Sequence, residues 1–386
     1  MSDETAGQPR SKLLEILLAS PAGQVSRLPA PDIGVAEVEP FPFLAIVGQY
    51  EMKLALTLSL INPLVGGVLL IGPRGTAKTT AVRALTDLLP TTKRSLCAYG
   101  CTEEDVELYG MDGVCKDCAT KFGYGDPLTT ADKVRIFELP LNSRLEDVVG
   151  GINERLALEQ QKVRLERGLL GHADGHIVYI DEVNLLDDVI TDAMLDAAAQ
   201  GHYTVRRGPL KLTYKARIML IGSMNPEEGW LRPQLMDRFG LRAIVRGLAD
   251  ADLRYQAYER AAAYRRQPDI FAAAYAEATL SLAEEIQQAR DRLPQVTLTD
   301  EARQLGLALV AALQIESGRA EITLFEAARA HAAADERTAV TPEDIRAVAL
   351  LALRQRQSHA LDKFFADQSE EDARLTAVWE RKAEKK

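Results

Sequence analysis

Apolar and polar positions along the chain change period several times, and each change marks an element. Gly67–Ile71 is a short apolar run bounded by turn residues, the mark of a strand buried on both faces. Before it, Phe43–Leu60 carries apolar residues at helical spacing until Asn62-Pro63 breaks it. After it, Thr79–Leu89 reads as a helix, Val134–Leu139 as a short strand and Glu154–Gly168 as a charged amphipathic helix. Ile177–Ile180 is a second buried strand, Leu185–Gln200 a helix with Gly201 as its C-cap, and Ile218–Ile221 a third strand. Tyr203–Val205 and Leu210–Tyr214 alternate around Arg206-Arg207-Gly208 and predict a hairpin. Strands alternating with helices predict an α/β domain built on a parallel sheet.

From Asp250 onward the pattern is helical and alanine-rich. Helices are predicted over Asp252–Arg266, Phe271–Arg292, Asp300–Ser317, Ile322–Asp335 and Pro342–Leu353, with Thr299-Asp300 and Thr341-Pro342 as starts. Four segments result: an N-terminal extension and linker (1–38, with a short helix over Ser11–Ser20), an α/β domain (39–248), a helical domain (249–356) and a charged tail (357–386).

Composition narrows the function. The 386 residues suffice for two or three domains with their own cores. The formal charge of −10 lacks the broad positive field that non-specific nucleic-acid binding needs. No apolar stretch approaches a membrane span, and the polar Met1–Pro9 does not resemble a secretory leader. The cytoplasm is the expected compartment, where four cysteines are not expected to form structural disulfides.

The candidate chemistry starts directly after the first strand. Gly72-Pro73-Arg74-Gly75-Thr76-Ala77-Lys78-Thr79-Thr80 is a phosphate-binding loop. Its backbone N–H groups are expected to cradle the phosphates of ATP, with Lys78 reaching the outer phosphates and the Thr79 hydroxyl on Mg²⁺. Ala77 stands where this pattern has Gly, a change the loop is expected to tolerate if that position is helical. Asp181-Glu182 ends the second strand: Asp181 is the candidate Mg²⁺ ligand and Glu182 the candidate base for an attacking water. Asn225 follows the third strand and could orient the same water. Arg238, expected to follow the final strand, is a candidate arginine finger aimed at a neighbouring subunit.

The segments Pro42-Phe43, Ile46–Gln49, Met52–Leu56, Gly72–Thr80, Ile180–Leu186, Met224–Gly229 and Leu231–Leu241 together resemble the small AAA+ ATPase subunits of magnesium chelatase, within the MoxR/helix-2-insert group. The resemblance runs from about Phe41 to about Leu353. It implies an adenine pocket at Val47-Gly48-Gln49, a phosphate sensor at Asn225, a finger acting in trans at Arg238 and a lid sensor at Arg319. It also implies hairpin insertions near 139–152 and 203–214. The implied partners are further copies in a hexameric ring, a larger AAA+ subunit with an integrin-like (von Willebrand A-type) domain, and a porphyrin-binding subunit that inserts the metal. Pro73 and Ala77 lean toward MoxR-like relatives, so a MoxR-like chaperone ATPase acting on an integrin-like-domain partner unrelated to tetrapyrroles is the alternative. A nucleic-acid translocase is a third reading, opposed by the net charge.

Cys97-x3-Cys101 and Cys115-x2-Cys118 lie thirteen residues apart, with Tyr109–Gly113 predicting a loop between them. Two close thiol pairs suit tetrahedral Zn²⁺, a redox-sensitive dithiol or free loop cysteines, and the spacing leaves all three open. His172 and His176 flank Asp174 but read as a polar loop before a strand. Arg206-Arg207 reads as a solvated turn.

Overall fold

The computed structural model describes residues 39–89, 91–151, 165–207 and 210–356. The expected helix over Ser11–Ser20, nearly all of that over Glu154–Gly168 and the tail from Gln357 lie outside the described residues. In chain order the strands are β1 (Val68–Ile71), β2 (Thr91–Ser95), β3 (Thr129–Lys133), β4 (Ile136–Glu138), β5 (Ile177–Ile180), β6 (His202–Arg207), β7 (Leu210–Lys215), β8 (Met219–Met224) and β9 (Leu241–Ile244). Five of them form the central sheet in the order β4-β5-β8-β1-β9, and every pairing is parallel. Parallel neighbours need crossovers, which is why helices separate these strands in the sequence.

Because side chains alternate across a strand, each apolar run feeds two cores. Val68, Leu70, Ile177, Tyr179 and Ile221 face one, which they share with Leu54, Leu58 and much of the helical domain. Leu69, Ile71, Val178, Ile180 and Leu220 face the other, with Met194, Leu195 and Phe239. Burial on both sides explains why these runs show no polar alternation.

Several boundaries move. The expected Phe43–Leu60 helix is a 3₁₀ turn at Phe43–Ala45 followed by a helix over Tyr50–Ile61. Gly48 and Gln49 break it, both at positive φ (63° and 54°). The helix after the phosphate loop spans Lys78–Arg83 and tightens to 3₁₀ over Ala84–Leu88. The expected Phe271–Arg292 helix is two, Pro268–Ala273 and Ala276–Arg292. The hairpin implied near 139–152 is not seen in its described part, which holds a helix over Leu145–Val149. The spacer between the cysteine pairs is not a plain loop: it holds a helix over Glu103–Tyr109, capped reciprocally by Thr102 and Asp105.

The helical domain contains Ala251–Arg266, Pro268–Ala273, Ala276–Arg292, Asp300–Ala312, Arg319–Ala334 and Pro342–Leu353. It closes on the buried Tyr50–Ile61 helix rather than hanging free. Asn62 Nδ2 donates to Glu326 Oε2 at 2.7 Å, and Arg290 Nη1 donates to the Leu60 carbonyl at 2.6 Å.

Candidate active site

Parallel sheets place their ligand sites beyond the carboxyl ends of the strands. The Gly72–Thr80 loop leaves β1, Asp181-Glu182 leaves β5 and Asn225 leaves β8, so three chemically loaded turns share that edge. Close approach forces part of the loop's composition. A Cβ on Gly72 would lie 2.0 Å from the Val245 carbonyl oxygen, so no larger residue fits. Gly75 has φ +77° with nothing within 4 Å of a built Cβ, which leaves its backbone facing open space.

Ala77 departs from the sequence expectation. It is not helical but left-handed, at φ 67° and ψ 22°, as the N-cap of Lys78–Arg83. That region disfavours any residue with a Cβ by about 1–2 kcal/mol, so the loop carries strain that glycine would remove.

Lys78 is buried and folds back over its own loop, donating from Nζ to the Gly72 and Pro73 carbonyls at 2.6 and 2.8 Å. Burial lowers its pKa, against the pull of Asp181, Glu182 and Glu228, which raises it. The Thr79 hydroxyl donates to Asp181 Oδ2 at 3.1 Å. Asp181 Oδ1 accepts from the Tyr179 hydroxyl at 2.9 Å and from the Ser223 hydroxyl. Burial alone would raise the Asp181 carboxyl. The donors Ser223, Tyr179 and Thr79, with the Lys78 charge, outweigh it and hold the group below the usual carboxylate range. A hydroxyl from the first turn of the helix after β1 and an ionised carboxylate just beyond β5, side by side at a phosphate loop, form a donor set that fits Mg²⁺.

Glu182 sits beside this pair, itself at positive φ (54°). Arg74 holds it, Nε to Oε1 at 3.2 Å and Nη2 to Oε1 at 3.1 Å, while the same guanidinium pairs with Glu228. Asn225 is buried and its Oδ1 accepts from the Glu227 N–H at 3.3 Å. A cavity of about 690 Å³ continues from the loop, lined by Val47, Gln49, Thr76, Ala77, Thr80, Leu248 and Tyr264 among others. Its size and mixed apolar and polar walls suit a nucleotide base and ribose. Of the three residues expected there, Val47 and Gln49 line it. Gly48 supplies the bend, and the Gln49 amide donates to the Arg246 carbonyl at 2.7 Å.

Arg238 and Arg319 are not brought to this edge. Arg238 precedes the final strand β9 rather than following it, in the turn after Pro233–Met236. Its Nη1 pairs with Asp192 at 3.2 Å and Asp196 at 2.7 Å. Both arginines line a separate cavity of about 140 Å³ with Gly66 and Gly67, at the opposite end of β1. A four-residue strand spans about 13 Å, so neither guanidinium is near its own chain's phosphate loop.

Three contributors were missed from the sequence: Tyr179, Ser223 and the clamping role of Arg74. Tyr179 is polar only at its tip and reads as core. Ser223 lies in Gly222-Ser223-Met224, where turn chemistry is the plainer explanation. The four cysteines do converge, with Sγ atoms all within 4.8 Å of one another, but in the insertion between β2 and β3 and away from the loops described above.

Comparison with known proteins agrees with this architecture. Residues 126–239 match the AAA domain (dynein-related subfamily), and residues 304–378 match the AAA lid domain. The magnesium-chelatase subunit ChlI homolog of Methanocaldococcus jannaschii is 40% identical over 314 residues, 81% of this chain and 84% of the relative. The chloroplastic magnesium-chelatase subunit ChlI-2 of Arabidopsis thaliana is 42% identical over 318 residues, covering 82% of this chain and 75% of the relative. A crystal structure of a candidate ATPase from Cytophaga hutchinsonii is 19% identical. It covers 81% of this chain and 83% of that one at a TM-score of 0.50, which supports the fold alone.

Proposed function

The chain belongs to the ChlI family of magnesium-chelatase AAA ATPase subunits, and from that premise we propose that it hydrolyses ATP between the subunits of a hexameric ring to drive metal insertion into a tetrapyrrole. The observation that carries this reading is the meeting of Thr79 and Asp181 at 3.1 Å beside Lys78, with Arg238 and Arg319 at the far end of β1. Loop N–H groups from Gly72 to Thr80 would bind the phosphates, and Val47, Gly48 and Gln49 would frame the adenine. Lys78 would exchange its loop carbonyls for phosphate oxygens. Thr79 and Asp181 would hold Mg²⁺, which when bound neutralises phosphate charge.

Glu182 would orient and deprotonate the attacking water once Arg74 releases it, and Asn225 would fix that water or the terminal phosphate. Arg238 and Arg319 of the adjacent subunit would complete the site by stabilising charge that grows in the transition state. Partners in the same proposal are a larger subunit with an integrin-like domain and a porphyrin-binding subunit, acting in the cytoplasm. Among the described residues no helix is long and apolar enough to cross a membrane. The ChlI relatives favour this reading over a MoxR-like chaperone.

Reconstitution tests it. Mixed with the other two subunits, ATP and Mg²⁺, the chain should insert magnesium into a porphyrin, followed by the product's fluorescence. Steady ATP turnover with no metal insertion in any such mixture would remove the chelatase reading. Glu182→Gln should still bind nucleotide while turnover falls by about 10²–10⁴-fold, the range for a lost general base.

A further inference from the structure

Residues 91–133 form a small lobe on the α/β domain, framed by the antiparallel pair β2–β3. Its buried apolar core is only Cys101, Cys118 and Leu128, with Cys97, Val106, Val114, Cys115 and Phe122 half-buried around them. So small a core does not hold a lobe of this length by apolar burial alone, and structural metals are a common remedy. All four cysteines are free thiols, and each Sγ lies within 4.8 Å of the other three. In a tetrahedral zinc tetrathiolate, zinc–sulfur bonds of about 2.3 Å place the sulfurs about 3.8 Å apart, so the cluster needs only a small contraction.

The surroundings are built for anionic sulfur. The Cys101 N–H donates to Cys97 Sγ at 3.4 Å and the Cys115 N–H donates to Cys101 Sγ at 3.3 Å, while the Ser95 hydroxyl donates to the Cys101 carbonyl at 2.7 Å and so holds the turn that carries the first pair. N–H donors of this kind orient metal ligands and spread their charge. A disulfide joins sulfurs in twos and explains neither the four-way convergence nor the N–H groups aimed at sulfur.

We propose that Cys97, Cys101, Cys115 and Cys118 bind one divalent zinc-class ion as thiolates, and that this ion pins the lobe to the β6–β7 hairpin. Binding displaces the thiol protons to solvent and involves no change of oxidation state. The pinning follows from what lies between the first two ligands. The Tyr99 ring stacks on Tyr214 of β7 with centroids 5.9 Å apart, and the Tyr99 carbonyl accepts from the Lys215 N–H at 3.4 Å. The Gly100 carbonyl accepts from Arg217 Nη2 at 3.4 Å. Asp105, which caps the helix just after Cys101, pairs with Lys215. Fixing both Cys97 and Cys101 on one ion fixes this docking tip. The inference stands apart from the nucleotide site and survives if the chelatase reading fails.

The test uses the full-length chain purified without chelators. Elemental analysis should find about one zinc per chain, released stoichiometrically when a mercurial thiol reagent is titrated in. Metal-free chain given Co²⁺ should develop the intense thiolate-to-cobalt charge-transfer and tetrahedral ligand-field bands. Cys115→Ser/Cys118→Ser should lose both the zinc and the bands. The wild-type cobalt spectrum stands even if that variant misfolds. On metal removal, hydrogen exchange over residues 202–215 should rise several-fold while that of β1 and β8 stays unchanged. Chain without bound transition metal after growth with added zinc, showing four freely reactive thiols or disulfides by mass, overturns the site. Stoichiometric zinc with unaltered exchange at 202–215 on its removal overturns the pinning.

Discussion

Ala77 shows what one backbone position can decide. Glycine there would relieve the left-handed strain of about 1–2 kcal/mol. The same glycine loosens the unfolded chain at a cost of about 0.4–1 kcal/mol. The strain relief is the larger of the two, so Ala77→Gly should raise the melting temperature slightly and leave nucleotide affinity close to wild type. Ala77→Val puts a β-branched residue where φ is positive and should abolish nucleotide binding, read by titration with a fluorescent ATP analogue. A large affinity loss in the glycine variant would show that the methyl group is needed. Ser223 is a second case. Its hydroxyl donates to Asp181 and accepts from the Glu182 N–H at 3.0 Å, so it joins the two carboxylate residues. Ser223→Ala should raise the Mg²⁺ concentration for half-maximal ATPase by about 10-fold or more, as for other lost partners of metal ligands. Unchanged Mg²⁺ dependence would show that the contact only packs the strand. The loop was legible because phosphate binding demands particular residues at fixed spacing. The φ of Ala77 was not, because residue type does not report which backbone well tertiary contacts impose. Tyr179 and Ser223 were hidden because their types are equally at home in a core.

Among the elements, the last lid helix, Pro342–Leu353, was legible to the residue at both ends. Thr341 with Pro342 and Asp344 is a strong start signal, and the capping box is present. Earlier in the same domain, Phe271–Arg292 was misread as one helix because an alanine-rich run carries no mark of the break at Ala274-Tyr275. What the pattern could not foresee is how much converges on Asp344. This fully buried carboxylate accepts from Arg337 Nη1, His331 Nδ1 and the Thr341 N–H, each at 2.7 Å. Burial would raise its pKa, but Arg337, His331 and Thr341 prevail and hold it well below the usual range. The sign of the linkage follows. A depressed folded pKa means stability fully present above the unfolded value of about 3.9 and lost as pH falls below it toward the folded value. Thermal melts of the wild type should therefore lose stability steeply from about pH 4 downward. Asp344→Asn should be less stable at pH 7 by about 3–5 kcal/mol, the scale for breaking a buried ion pair. It should also show a shallower acid dependence. Equal acid slopes in both proteins would assign the acid sensitivity to other carboxylates.

At the scale of the whole molecule, a parallel sheet with a helical lid was legible from the alternation of elements, and so was an Arg238 that faces away from its own phosphate loop, whereas its place before β9 and beside Arg319 was not. Sequence order suggested that Arg238 follows the last strand; in fact it precedes β9, and the sheet order places it by Gly66 and Gly67. Its turn is held firmly. Asp237 accepts from Arg356 Nη1 at 2.7 Å and from the Ser317 hydroxyl at 2.8 Å, so the lid's end and the Arg238 turn move as one. A guanidinium so placed serves a second subunit or none, and mixing decides between these. Arg238→Ala alone should lower ATPase turnover by about 10³-fold or more, the worth of an arginine finger. Glu182→Gln alone should be nearly inactive for the reason already given. In rings randomly assembled from equal amounts of the two, an interface is intact when its nucleotide-holding subunit keeps Glu182 and its neighbour keeps Arg238. That occurs at about one interface in four, so mixed rings should recover about a quarter of wild-type turnover. If both residues served the same chain's nucleotide, no mixed interface would be intact and activity would stay at the level of the separate variants. Fluorescence transfer between labelled subunits verifies mixing, so a flat result in well-mixed rings would overturn the trans arrangement.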